Sequence, residues 1–287
     1  MEEIANQVFI EHCFSGVVTA ALKLRRGLVI IDSPCSVDER KSWQQKLINL
    51  GSGVSQMVIL LDTHADRLLS MPPLDAPILV HENALEVFNS LPIAFRPLEK
   101  SPGTDLESQD ISQSTRWSLP DFCYSKQVSL HWDDQPIVIT HQPGAHIAGS
   151  WVKYDAEKVL FVGDSVVVNQ PPFLAWCSIE RWIEELNWLR SDFFKHHKIV
   201  SGRDGVIFQS DIVNMINFLS HLKGVVNATF DGIVDEGIET ELPGLLKYFN
   251  FDKDLTALYE KRLFDEINRL IKRIKNNAEQ GVVNADS

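Results

Sequence analysis

The 287 residues hold no CxxC pair, since Cys13, Cys35, Cys123 and Cys177 are scattered singly. That spacing excludes a zinc knuckle or a redox dithiol. In a reducing compartment such cysteines are expected as small buried apolar residues. Basic residues are in short supply: 27 Lys and Arg stand against 39 Asp and Glu, for a net charge of -12. A surface of that sign does not gather nucleic-acid phosphates or anionic lipid, so a small-molecule substrate is expected, with no nucleic acid and no membrane as partner. No apolar run approaches the ~20 residues of a membrane helix, and the N-terminal MEEIANQVFIEHCF lacks a basic region followed by an apolar stretch. A cytoplasmic protein is therefore expected. Internal repeats of the solenoid kind are also missing. What is present is ordinary for a globular chain: 44% hydrophobic and 23% charged residues, enough for one large domain or one domain with an appendage.

Read in order, Val8 to Asp32 forms strands, with a tight turn at Arg25-Arg26-Gly27. Ser36-Val37-Asp38-Glu39 is a capping box, and the helix that it opens runs through Trp43 and Leu47 to a stop at Gly51. Gln56 to Leu61 is the next strand and Ala76 to Val80 another, each followed by a helix or turn. Residues 92 to 126 are rich in Pro, Ser, Gly and Asp with little periodicity, as in a functional flap or a disordered passage. Strands resume at Val128 to His131 and Pro136 to Thr140, then in a hairpin that ends at Asp164. Ser178 caps a helix through Trp182, Leu186 and Leu189, and Lys198 to Val200 is a last short strand. A helix through Ile212 and Leu222, a linker with Pro243-Gly244, and an amphipathic helix from about Leu255 to Ile274 complete the chain. The stripe on that last helix demands a partner surface, on this domain or in a homodimer.

The polar residues stand where apolar strands stop. Asp32, the group Asp62-Thr63-His64-Ala65-Asp66-Arg67, the loop from His141 to His146, Asp164 and Arg203 each follow such a run. Loops at strand ends carry the chemistry of layered α/β folds, so these ends are expected to share a pocket. If the strand conformation persists past Leu61, Asp62, His64 and Asp66 share a face, and two carboxylates with an imidazole need a cation or a guanidinium among them. Singly, each has a plainer reading: Asp32 as an anchor of its own loop, His64 as a core imidazole, Asp164 as a turn residue. His81 is read as structural, His196-His197 as a solvated turn, and Phe173 and Trp176 as candidates for a pocket wall.

The succession LVIIDSP, VILLDTHADR, HQPGAHIAGS, LFVGDS and IVSGRDG resembles the metallo-β-lactamase superfamily. The resemblance covers about Val8 to Leu222 and implies an α/β (α+β) chain folded as a four-layer αββα sandwich. The expected division is a metallo-β-lactamase-like domain over residues 1-226 and a C-terminal helical extension over 227-287. Several family positions are changed. In the HxHxDH block Asp62 replaces the first His, His64 and Asp66 are kept, and Arg67 replaces the third His. Counting back from Gly149-Ser150 puts His146 in the next ligand slot, Asp164 is kept, and Arg203 replaces the terminal His. The resemblance thus implies one surviving metal position drawn from Asp62, His64, His146 and Asp164. It suits one divalent ion, zinc first, with iron or manganese as alternatives. Arginine has no lone pair to offer, so Arg67 and Arg203 are expected in the space of a second metal, held by Asp66.

The chemistry implied is hydrolysis of a small ester, lactone, amide or thioester. Asp66 would orient the attacking water, and Arg67 or Arg203 would steady the developing oxyanion. Two alternatives stand beside it: a metal-free binding or structural descendant whose charges only pair with one another, and a mononuclear-iron oxidoreductase.

Overall fold

The computed structural model describes residues 1-51, 55-68, 76-90, 119-230 and 237-285. Most of the passage expected to be a flap, 91-118, lies outside them. The chain opens with strands β1 (Glu2–Ala5), β2 (Val8–Glu11), β3 (Thr19–Leu24) and β4 (Gly27–Ile31), an antiparallel meander. Gly27 is required at its hairpin: φ is +150°, and a Cβ there would stand 1.8 Å from the Ser55 carbonyl oxygen. Helix α1 (Val37–Asn49) starts at Ser36, whose side chain accepts from the Glu39 amide, and gives way to Gly51 at φ +74°. The return half of the capping box is not made, because Glu39 accepts instead from the Ser15 amide at 2.9 Å.

Strand β5 (Ser55–Ile59), the single turn α2 (Ala65–Leu68), β6 (Ile78–His81), α3 (Ala84–Ser90) and β7 (Phe122–Tyr124) complete the first sheet. Its order is β1-β2-β3-β4-β5-β6-β7, parallel from β4 onward. β7 corrects the reading of 92-126 as wholly irregular: three residues pair in parallel with β6, too short a run for a pattern to show. The second sheet has β8 (Gln127–Leu130), β9 (Ile137–His141), β10 (Ser150–Tyr154) and β11 (Val159–Gly163), followed by α4 (Ile179–Leu189). β12 (Lys198–Ser201) and β13 (Gly205–Ile207) finish it, and the order is β13-β12-β11-β10-β9-β8.

Three helices follow: α5 (Gln209–Phe230), α6 (Ile238–Leu246) and α7 (Thr256–Ala285). α6 runs through the Pro243 that had been read as linker. A proline inside a helix forfeits one backbone bond and strains the turn before it. Burial of Leu242, Leu245 and Leu246 offsets that.

Layering follows from which faces are apolar. Ile10, Leu22, Val29 and Ile59 of the first sheet meet Ile139, Val152, Phe161 and Val200 of the second in the central core. Trp43 and Leu47 of α1 cover the outside of the first sheet through Leu28, Ile30 and Val58. The outer face of the second, with Trp151, Leu160 and Ile199, lies under α4 to α7. The result is αββα, and α7 packs into the same core through Leu263, Ile267 and Leu270. No helix among the described residues is long and apolar enough to cross a membrane.

Candidate metal centre

The strand ends do meet. β5 stops at Ile59, so Asp62 and His64 lie on a loop and Asp66 and Arg67 on α2, rather than on one face of a continued strand. The Asp62 carboxylate causes the bend: its Oδ1 accepts from the His64 amide at 3.0 Å and so closes a local turn. Two sheets are laced together at this point, with the Ser150 amide donating to the Leu61 carbonyl at 2.8 Å and the Val18 amide to that of Gly202 at 2.8 Å.

Arg67 is the hub. Its side chain is fully buried; Nε donates to Asp32 Oδ2 at 2.8 Å, Nη1 to Asp62 Oδ2 at 2.6 Å and Nη2 to Asp164 Oδ1 at 2.7 Å. Nη2 also reaches the Gly202 carbonyl at 3.3 Å, and Nη1 stands 3.5 Å from His64 Nδ1. Gly202 is glycine because Arg67 passes it: a Cβ would fall 2.4 Å from Nη2. Asp32 anchors its loop as well as the arginine. At φ +54° it sits in the left-handed region, and its Oδ1 accepts from the Leu61 amide at 3.0 Å.

Arg203 is the second guanidinium. Its Nε donates to Asp164 Oδ2 at 2.6 Å, and its Nη1 to Asp66 Oδ2 at 2.7 Å and to the Gly16 carbonyl at 2.6 Å. Phe173 lies beneath it, with the guanidinium carbon 4.9 Å from the ring centre. Asp66 therefore holds Arg203, whereas Arg67, expected beside Asp66, is bonded to Asp32, Asp62 and Asp164. Two polar atoms of the Asp66–Arg203 pair, Asp66 Oδ1 and Arg203 Nη2, are buried and have no hydrogen-bond partner among the described residues.

Charges follow from this wiring. Burial pushes the Asp164 carboxyl up, but Arg203 and Arg67 outweigh it and hold it at about 2. Asp62 is also pushed up by burial, and Arg67 with His64 brings it well below the usual carboxylate range. For Asp32 burial wins over Arg67 and lifts the carboxyl to about 7. Both arginines are pulled down by burial, and their carboxylates raise them above the ordinary value by more. Four buried carboxylates, Asp32, Asp62, Asp66 and Asp164, thus face two guanidinium groups. With all four ionised the cluster is two negative charges in excess, and Asp32, at about 7, is part-protonated at neutral pH and reduces that excess.

Three ligand atoms converge where that charge is uncompensated. His64 Nδ1 stands 2.9 Å from Asp62 Oδ1 and 3.4 Å from Asp164 Oδ2. Asp62, His64 and Asp164 each offer an atom within 4.8 Å of the others. Ligands ~2.0–2.2 Å from an ion stand roughly 3 Å apart, so these residues fit one divalent cation. His146 is near, its ring 4.7 Å from that of His64, but its lone pair is spent. The Ala148 amide donates to His146 Nδ1 at 3.0 Å, which leaves the ring proton on Nε2, 3.3 Å from Thr63 Oγ1. Burial, reinforced by His64, drops this imidazole to about 3 and keeps it neutral. The second metal position does not fit an ion, because Arg67 and Arg203 supply the positive charge there and no lone pair.

A cleft of about 340 Å³ opens beside His64, walled by Phe173, Trp176 and, from α7, Glu266, Arg269 and Arg273. Buried Glu266 fixes its floor by accepting from the Leu174 and Ala175 amides at 2.6 and 2.7 Å. None of the α7 residues was expected at the site. The available signal was a buried Arg262 and Glu266, spaced i,i+4, adjoining the apolar stripe of Leu263 and Ile267. His81 is indeed packed away: its ring stacks on that of His141 at 3.4 Å and its Nδ1 accepts from the Asn83 amide.

No protein-family model matches the sequence, and no curated protein matches it either. Solved structures do. A metallo-β-lactamase from Pontibacter korlensis is 17% identical, with a TM-score of 0.57 over 76% of this chain and 97% of its own. The DIM-1 metallo-β-lactamase is 14% identical, with a TM-score of 0.58 over 76% and 95%. The stereoselective inverting sec-alkylsulfatase Pisa1 from Pseudomonas sp. is 9% identical, with a TM-score of 0.63 over 94% of this chain, which spans about half of that enzyme (49%). The fold of this chain is that of the metallo-β-lactamases, carrying a centre in which arginines stand at two of the expected imidazole positions.

Proposed function

We propose that the chain is a single-metal hydrolase of a small-molecule ester, lactone, amide or thioester. The observation that carries this is the convergence of Asp62, His64 and Asp164 in a buried cluster whose carboxylates outnumber its guanidinium groups. Those three residues would hold the ion, zinc before iron or manganese. When bound, it would supply a water of lowered pKa and polarise the substrate carbonyl.

The chain's own residues divide the remaining work. Asp66 Oδ1, buried and without a hydrogen-bond partner, is the acceptor for the proton of the attacking water. Arg203 Nη2, equally without one, is the donor to the oxyanion. Arg67 has its N–H groups directed at Asp32, Asp62, Asp164 and Gly202, so it positions the carboxylates and leaves the oxyanion to Arg203.

Metal analysis of the purified protein is the test. One equivalent of a divalent metal, lost in His64→Ala and retained in His146→Ala, supports the reading. A second reading rests on the 2.9 Å contact of His64 Nδ1 with Asp62 Oδ1, which is also an ordinary hydrogen bond. Two protons taken up by the cluster would balance its charge without an ion, leaving a non-catalytic descendant. No bound metal, with a melting temperature that chelator leaves unchanged, selects that one.

A further inference from the structure

The cleft beside His64 shares lining residues with a larger one. Trp176 and Arg273 line both, and the second, of about 980 Å³, combines the apolar side chains of Ile147, Ile179, Val226 and Leu270 with the charged Glu180, Arg181 and Lys223, of which Lys223 pairs with Glu180 at 3.0 Å. Arg273 therefore stands between the cleft of the candidate centre and the larger cleft.

Its surroundings differ from those of the other arginines that α7 brings here. Arg269 pairs with Glu266 at 2.8 Å. Arg262 donates to Gln170 Oε1 and the Pro171 carbonyl at 2.8 Å and lies against the Phe173 and Tyr259 rings. Arg273 is half-buried, and its Nη2 donates to the Cys177 carbonyl. Among the described residues no carboxylate lies within ion-pair distance of it. Burial pulls its pKa down, and the Cys177 thiol, which opposes that shift, does so by less. In a chain with twelve more acids than bases, a half-buried guanidinium without such a carboxylate is anomalous. Desolvating a charge is costly unless a counter-charge meets it.

We infer that Arg273 is a specificity residue that binds the anionic group of an amphipathic substrate whose apolar body lies in the larger cleft. The inference rests on the hydrolase reading above, since it sets the reacting group beside His64. A carboxylate, a sulfonate and a phosphate monoester share the chemistry that a guanidinium fork recognises. The apolar side chains of Ile147, Ile179, Val226 and Leu270 suit an apolar body for the rest of the molecule.

The test uses two probes of nearly the same shape: 8-anilinonaphthalene-1-sulfonate and its uncharged parent, N-phenyl-1-naphthylamine. Fluorescence titration of the full chain in chelator gives both affinities. Arg273→Gln is expected to weaken the sulfonate at least tenfold and the parent by less than twofold. Asn277→Asp is expected to do the same without touching the core, because Asn277 is exposed one turn further along α7 and its carboxylate would pair with Arg273 at i,i+4. Equal loss of both probes, or an unchanged sulfonate affinity in Asn277→Asp, overturns the inference. Neither probe is hydrolysed, so the two readings fail separately. A protein that cleaves no ester yet keeps this selectivity refutes hydrolysis alone. One that cleaves esters but discriminates neither probe refutes the role of Arg273 alone.

Discussion

Replacing Arg67 with methionine removes the hub of the cluster while keeping a side chain of similar length. Three carboxylates lose a charged partner at 2.6 to 2.8 Å, in a place without solvent. Removing one member of a buried ion pair costs about 3–5 kcal/mol. Three such losses do not add up here, because each carboxylate keeps another donor. Asp164 keeps Arg203 Nε at 2.6 Å, Asp62 the His64 amide at 3.0 Å and Asp32 the Leu61 amide at 3.0 Å. The expected loss at pH 7.5 is therefore ~3–5 kcal/mol, a large part of the roughly 5–15 kcal/mol that holds a domain. At ~2–4 °C per kcal/mol for a chain of this size, the melting temperature falls by roughly 6–20 °C. Circular dichroism melts in chelator, for Arg67→Met beside the parent, measure it. Acid supplies the control. Asp62 and Asp164 are held below their unfolded values, so the stability that they contribute is present above ~4 and lost as pH falls through the folded value, about 2 for Asp164. The gap between the proteins must therefore narrow from pH 4 towards pH 2.5. A drop under 2 °C at pH 7.5, or a gap that persists undiminished in acid, refutes the hub.

Gly202→Ala is expected to cost at least ~2 kcal/mol in urea denaturation, because its Cβ meets Arg67 Nη2 at 2.4 Å and the Gly163 backbone at 3.1 Å; a neutral result would mean that Arg67 does not pass there. Asp32 titrates in the opposite sense to Asp62. Its folded value of about 7 lies above its unfolded one, so its contribution is fully present below ~4 and lost as pH rises through 7. A melting temperature that falls from pH 5 to 7.5, with the slope reduced in Asp32→Asn, is the expected record, since Glu185, which burial also lifts to about 7, contributes in the same sense. Glu266→Gln exchanges two charge-assisted bonds for at most one neutral acceptor, and the melt should fall by ~1–3 kcal/mol. Thiol titration with a disulfide reagent should count two fast groups, exposed Cys13 and Cys123. Cys35 and Cys177, whose thiols burial pushes up to about 12, should react only on unfolding.

Much of the sandwich was legible in the chain because its signals are local. Ser36 and Gly51 bracket α1 within a residue or two, and the apolar runs within Pro136 to Thr140 and Trp151 to Asp164 placed β9, β10 and β11. Elements with no local signal were the ones missed. β1 and β13 are short strands held by β2 and β12, and α6 forms against its own proline because three leucines are buried. The same boundary runs through the centre. That polar residues end five apolar runs is visible in order along the chain. That Asp62 turns back onto the His64 amide, ending the strand face, is a matter of one hydrogen bond.

The residue types of the centre followed from the sequence alone: two arginines where the resemblance puts imidazoles, and an excess of carboxylates that demands a cation. Which arginine takes which acid was decided in three dimensions. Arg67 reaches Asp32 and Asp164, 35 and 97 residues away, only because β4, α2 and β11 end at one place between two sheets. Tertiary structure also set the Ala148 amide on His146 Nδ1 and brought α7 to the cleft. Side-chain identity determines what charge a site carries, whereas the geometry of the surrounding backbone determines which lone pairs and N–H groups remain for a ligand.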